Sequence, residues 1–203
     1  MGLWTKVSSQ FGKPSGLLGK LAGLIMASRS SNIERSHWAV SMLNLQPTDR
    51  VLEIGFGPGI AIQKMSEIIQ TGMIYGIDHS EVMLKQASKR NRDAISSDKV
   101  KLLLGQASNL PPFEKPLDKI LDINSFQFWK NPVEDLKKIR EHLKPEGMIA
   151  LAHQPRKPGS TDEDALKAGK KFAEFLRQSG FKEVRIEKKS MSPVATVCVL
   201  GLK

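Results

Sequence analysis

Cysteine is nearly absent from this chain of 203 residues: Cys198 stands alone. An internal disulfide and a thiolate metal cluster are therefore excluded, and a reducing, cytoplasmic compartment is expected. Aromatic residues are also scarce, and one Tyr with three Trp leaves little to stack on nucleobases. No apolar run approaches the ~20 residues that span a bilayer. The stretch from Leu17 to Ala27 imitates a secretory segment, but Gly19, Lys20 and Gly23 interrupt it and no cleavage site follows, so export is not expected. Lys6 occupies the position where N-myristoylation requires Ser or Thr. The His, Asp and Glu spacings contain no metal-ligand pattern, and no metal is expected.

What is abundant is positive charge. A formal net charge of +10 and a pI near 9.7 favour anionic partners such as RNA, an acidic membrane face or a phosphorylated molecule. The Lys and Arg are scattered along the chain, so solubility is an equally good account of them. Apolar residues at 40 % and charged ones at 26 % describe a globular protein, and this length suits one ordinary core.

From Arg50 onward, β-rich runs alternate with helical patterns, as in βαβ units of a parallel sheet. Strands are predicted at Val51 to Ile54, Met73 to Ile77, Val100 to Leu104, Lys119 to Ile123 and Met148 to Ala152. Helices between them carry Ile60, Met65, Ile68 and Ile69, then Met83, Leu84 and Ala87 behind a Ser80 cap, then Val133, Leu136, Ile139 and Leu143 ahead of Pro145. Thr161 and Asp164 resemble a capping box, and the stripe Leu166, Gly169, Phe172, Ala173 and Leu176 ends at Gly180. Two further strands, Phe181 to Glu187 and Val194 to Leu202, are joined by too short a turn for a crossover helix and must pair antiparallel. The expected fold is α/β: a doubly wound, Rossmann-like sheet of seven strands, mostly parallel with an antiparallel C-terminal pair, and helices on both faces. Two regions are expected, a helical cap or lid over 1–48 and the main domain over 49–203. Within the cap, Leu17, Leu18, Leu21, Leu24 and Ile25 form an amphipathic stripe suited to packing on the sheet, to closing over a substrate or to resting on a membrane.

The most informative stretch is Val51-Leu52-Glu53-Ile54-Gly55-Phe56-Gly57-Pro58-Gly59, a buried strand entering a glycine turn that opens a helix. Such a turn lets the backbone approach a nucleotide closely. Asp78 ends the next strand, about 20 residues on, where a ribose hydroxyl is held in sites of this architecture. A dinucleotide site requires Gly at position 60, and this chain has Ile60.

The spacing G-x-G-x-G with Glu53 ahead of it, together with Gly76-Ile77-Asp78, Ser80, Met83-Leu84 and Leu143-Lys144-Pro145-Glu146-Gly147, resembles the class I S-adenosylmethionine methyltransferases over residues 48–202. The resemblance implies S-adenosylmethionine as cofactor, with Gly55, Phe56, Gly57 and Gly59 at its methionine and ribose portion, Glu53 near its amino group and Asp78 on its ribose hydroxyls. His79, Met83 and Asn124 are implied to lie alongside. Where the family places an acid for the adenine amino group this chain has Gln106 followed by Ala107, whose amide oxygen and backbone N–H can serve instead.

Methyl transfer is a direct displacement that needs alignment and exclusion of water more than a base. The chemistry belongs beyond the carboxyl ends of the strands, which singles out Asn124, Gln127, Phe128 and Trp129 after the fourth and His153, Gln154 and Arg156 after the fifth. His153 is the candidate base, Arg156 a candidate clamp for a substrate anion, and His37, Gln127 and Trp129 candidate acceptor contacts. No Pro-Pro-Tyr follows Asn124, unlike the enzymes that methylate amino groups of adenine and glutamine. No cysteine is positioned for covalent attack on a pyrimidine. The expected activity is transfer to N or O of a small or lipid-like, amphiphilic acceptor. An RNA methyltransferase and a non-catalytic cofactor-binding protein are the alternatives, and peripheral membrane contact stays open.

Overall fold

A computed structural model describes residues 30–203; the amphipathic stripe at Leu17 to Ile25 lies outside them. Helix α1 (Ser30–Met42) precedes β1 (Arg50–Ile54), α2 (Ile60–Ile68), β2 (Met73–Asp78), α3 (Glu81–Arg90), the short α4 (Arg92–Ser96) and β3 (Val100–Leu104). Then come β4 (Leu117–Ile123), a 3-10 turn at Phe126–Phe128, α5 (Pro132–His142), β5 (Leu143–His153), α6 (Asp162–Gln178), β6 (Lys182–Lys189) and β7 (Thr196–Leu202).

The seven strands form one sheet in the order β3-β2-β1-β4-β5-β7-β6. Strands β1 to β5 are parallel, with Ile54 opposite Ile77 on one side and Asp122 on the other. Strand β7 runs antiparallel to both β5 and β6. The order reverses between β1 and β4, which leaves a crevice at their carboxyl ends, the place where ligands enter open α/β sheets. One face of the sheet buries Ala39, Val40, Ile62, Met65, Met83 and Ala87 of α1, α2 and α3. The other buries Leu136, Ile139, Phe172, Ala173 and Leu176 of α5 and α6. Both faces of the central strands are thus covered, which explains their nearly continuous apolar sequences.

Local chemistry sets the boundaries. Ser80 accepts from the Met83 N–H and starts α3, while at α6 the Thr161 hydroxyl accepts from Asp164 N and the Asp164 carboxylate accepts from Thr161 N. Leu143 corrects one expectation: it turns extended at the end of α5 and opens β5, five residues before the predicted start of that strand. Its side chain is still buried, 1 % exposed. Part of the expected cap is fixed structure, because Ala39, Val40 and Leu43 are at most 1 % exposed. Among the described residues no helix is long and apolar enough to cross a membrane.

Helix α1 runs antiparallel to the neighbouring strands. Its C-terminal carbonyl at Leu43 accepts from Lys119 near the start of β4, 2.7 Å away. Its N-terminal turns reach Gln154, just past the end of β5.

Candidate active site

The turn after β1 reverses the chain through three glycines at positive φ: Gly55 at 73°, Gly57 at 51° and Gly59 at 78°. A Cβ on Gly55 would fall 2.4 Å from the Ser125 side chain, so that position is closed by packing as well as by backbone angle. Gly57 differs, since a Cβ there would meet nothing within 4 Å among the described residues. The turn is held from behind by α3, where Arg90 Nε donates to Pro58 O at 2.9 Å and Asn91 Nδ2 to Gly59 O at 3.2 Å. It is tied to the end of β2 by Gly57 N–H, which donates to Asp78 Oδ2 at 2.9 Å.

Three buried carboxyl groups converge beside this turn: Glu53 (2 % exposed), Asp78 (6 %) and Asp122 (0 %). Asp78 accepts from Gly57 N and, through Oδ1, from Ser80 N at 2.9 Å. Burial still raises its pKa, against those bonds and the nearby His79. Asp122 caps the turn beyond β4, accepting from the Ser125 hydroxyl and from the N–H groups of Ser125 and Phe126. Its burial nevertheless lifts it to about 6. Glu53 is the least satisfied. Its Oε2 is buried without a hydrogen-bond partner among the described residues. Burial first, then the charges of Asp122 and Asp78, push its pKa well above the usual carboxylate range, and the Ile62 N–H offsets this only in part. A carboxylate so placed favours an incoming cation or hydrogen-bond donor.

Several expected contacts have other duties. Phe56 and Met83, 3 % and 1 % exposed, are core side chains. The Asn124 amide is occupied at both ends by one backbone unit, donating to Gln154 O at 3.1 Å and accepting from Gln154 N at 2.8 Å. It joins the ends of β4 and β5. Trp129 packs edge-on against Phe126, centroids 4.8 Å apart. Gln127 is exposed and donates back to Asn124 O. His37 sits on the outward, exposed face of α1, opposite the buried Asn32, Arg35 and Ser36; helical periodicity turns it away from the crevice. His79, Gln106 and Ala107 stand at the ends of β2 and β3, His79 with Nδ1 3.9 Å from Asp78 and Gln106 bridged to Asn109.

His153, the candidate base, is half-buried at the end of β5. Its ring lies against Phe172 with centroids 5.5 Å apart. Burial, assisted by the positive charges of Arg35 and Arg156, lowers its pKa to about 4. A general base works best with a pKa near the operating pH, and this imidazole is a far weaker proton acceptor. Arg156 donates to the Asn32 amide oxygen, and so does Arg35, at 3.0 Å. Arg35 carried no signal in the sequence reading, since only the helix that places it beside Arg156 reveals it.

Comparison with known proteins agrees with this geometry. A family model described as a methyltransferase domain matches residues 51–147. The uncharacterized methyltransferase YdaC of Bacillus subtilis (strain 168) is 30 % identical over 183 residues, covering 90 % of this chain and 98 % of that protein. Erythromycin 3''-O-methyltransferase of Saccharopolyspora erythraea is 23 % identical, covering 77 % of this chain and 58 % of that enzyme. The crystal structure of a SAM-dependent methyltransferase from Aquifex aeolicus superposes with a TM-score of 0.70 at 18 % identity, covering 87 % of this chain and 94 % of that one. The fold and crevice are those of a nucleotide-binding transferase. The chain belongs to the class I S-adenosylmethionine-dependent methyltransferases.

Proposed function

We propose that this protein moves the methyl group of S-adenosylmethionine to an oxygen or nitrogen of a small or amphiphilic acceptor by direct displacement. One observation carries the reading: the Glu53 carboxylate is buried, leaves one oxygen without a hydrogen-bond partner among the described residues and lies near two other acids beside a glycine turn. Such a group matches a ligand bearing an ammonium. Asp78 keeps lone pairs beyond the two it gives to backbone N–H groups, enough to accept from ribose hydroxyls. The open side of Gly57 leaves room for the ligand to lie against backbone. Gln106 and Ala107 offer an amide oxygen and an N–H to adenine, with His79 at the rim.

When bound, S-adenosylmethionine supplies an electrophilic methyl carbon on a sulfonium. The residues of this chain then need only hold the acceptor in line and keep water out. With His153 so weak a base, a nucleophile that is already unprotonated, or that loses its proton to solvent afterwards, suits this crevice. The erythromycin relative, by its name a 3''-O-methyltransferase, supports the same class of acceptor.

The test has two stages. Calorimetry should give micromolar-range binding of S-adenosylhomocysteine and little binding of NAD. A screen of metabolites and lipids should then release S-adenosylhomocysteine from S-adenosylmethionine. Preference for NAD would sink the cofactor assignment, and tight cofactor binding with no turnover on any acceptor would favour a binding protein.

A further inference from the structure

The crevice has a second charged feature, on the far side of β4 from the glycine turn. Arg35, 7 % exposed, donates from Nη1 to Gln154 Oε1 at 2.9 Å and from Nη2 to Asn32 Oδ1 at 3.0 Å. Both partners are neutral amides, and Nε has no hydrogen-bond partner among the described residues. No carboxylate compensates the charge. None of the ion pairs among the described residues includes Arg35, and residues 1–29 contain neither Asp nor Glu. Arg156, exposed at the rim, donates to the same Asn32 oxygen. Two guanidinium groups therefore meet on one neutral acceptor atom.

Burying an arginine without an anion is costly, and bringing a second cation to it raises the cost. The repulsion registers on both neighbours. Burial and Arg156 bring Arg35 down to about 9, and the two arginines help burial depress the adjacent His153, whose Nδ1 is itself buried without a hydrogen-bond partner among the described residues. Cross-links hold this arrangement rigidly. Gln154, 0 % exposed, binds Arg35, is clamped by Asn124, and donates through Nε2 to Val194 O at 2.7 Å. A cavity of about 170 Å³, lined in part by Pro155, Arg156, Ser160 and Val194, opens at the same spot.

We infer that Arg35 and Arg156 form a receptor for a small oxyanion, and that the methyl acceptor carries a carboxylate or phosphate group seated there. Guanidinium groups suit this task because their planar forks match both anions. The anion would supply the counter-charge that Arg35 lacks, leaving the rest of the acceptor to extend toward the ends of β4 and β1. This inference rests on reading the crevice as an acceptor site.

The experiment uses the full chain saturated with S-adenosylhomocysteine, titrated with inorganic phosphate and separately with acetate. Ionic strength is held constant with sodium chloride. Melting temperature and the assigned imidazole signal of His153 are read together. One of the two anions should raise the melting temperature and move the His153 signal in a saturable way that chloride does not reproduce. Acetate alone points to a carboxylate-bearing acceptor and phosphate alone to a phosphate ester. Arg156→Gln, at the exposed rim, should weaken that binding about tenfold or more, the scale for losing a charged hydrogen bond. Arg35→Gln should do the same if it folds, and Lys137→Gln on the distant face of α5 should change nothing. The inference is overturned if neither anion differs from chloride, or if Arg156→Gln binds as wild type does. Cofactor affinity measured in the same samples separates the readings: loss of S-adenosylhomocysteine binding would indict the cofactor site, while intact cofactor binding without an anion response would indict this receptor alone.

Discussion

Glu53→Gln should make the ligand-free protein more stable and the liganded protein less so. The side chain is 2 % exposed, has an oxygen without a hydrogen-bond partner among the described residues and feels the charges of Asp122 and Asp78. Leaving a buried polar group unsatisfied costs roughly 1–3 kcal/mol, more when it is charged. The near-isosteric amide removes the charge and can donate to the neighbouring carboxylates. At about 2–4 °C per kcal/mol for a chain of this size, the ligand-free melting temperature at pH 8 should rise by roughly 2–10 °C. The pH dependence has a definite sign. The folded-state pKa of Glu53 is raised, so its contribution is fully present below the unfolded value of about 4.3 and is lost as pH rises through the folded value. Asp122 acts in the same direction, with its folded value at about 6. Stability of the ligand-free protein should therefore fall between pH 5 and pH 8, and Glu53→Gln should flatten that slope. With S-adenosylhomocysteine present the balance reverses. Losing a charge-assisted hydrogen bond to the ligand's ammonium removes about 1.5–3 kcal/mol, roughly tenfold to 150-fold in affinity. Melting curves at several pH values and calorimetry with the same two proteins give both answers. A variant that melts lower than wild type at pH 8 and binds S-adenosylhomocysteine unchanged would refute the reasoning, because Glu53 would then be structural.

Two further outcomes follow from the same geometry. Gly55→Ala, with its new methyl 2.4 Å from Ser125, should lower the melting temperature and cofactor affinity together. Gly57→Ala meets no neighbour among the described residues and carries only the strain of its positive φ, so it should lose affinity with a smaller change in melting, and an unchanged affinity would show that Gly57 does not face the ligand. His153→Gln should change kcat at pH 7 less than tenfold, against the ~10²–10⁴ that a general base supplies, once an acceptor is in hand; a loss beyond a hundredfold would restore His153 as a base.

The central strands were legible because burial on both faces forces continuous apolar runs, so β1 and β2 fall within one residue of their predicted limits. The capping box of α6 was readable for a similar reason, since its two partners lie three residues apart in sequence. Glycine spacing and Asp78 marked the turn after β1 and the end of β2, which the structure joins through Gly57 N–H and Asp78 Oδ2. The cluster beyond the end of β5 stayed hidden. Helix α1 turns Asn32, Arg35 and Ser36 inward alongside Ala39 and Val40, so its buried face does not read as apolar, and Arg35 looks in sequence like any other surface cation. The duties of Asn124 and Trp129 were equally invisible, because each is decided by a partner brought close by the fold: the Gln154 backbone in one case and the Phe126 ring in the other. Asp122 was hidden inside a strand that reads as apolar, and its role as a turn cap needs the three donors that only the bend after Ile123 delivers.

The scaffold anchors its two ends by separate means. The glycine turn is fastened by Arg90 and Asn91 of α3, on the β1–β2 side of the sheet. Arg35 is fastened by Gln154, which answers to β4, β5 and the segment before β7. No described hydrogen bond runs directly between the two sets of anchors. If the proposed donor and acceptor halves are as separate as these anchors, a chimaera that grafts α1 and the stretch after β5 from a relative should keep S-adenosylhomocysteine binding while changing the acceptor it takes.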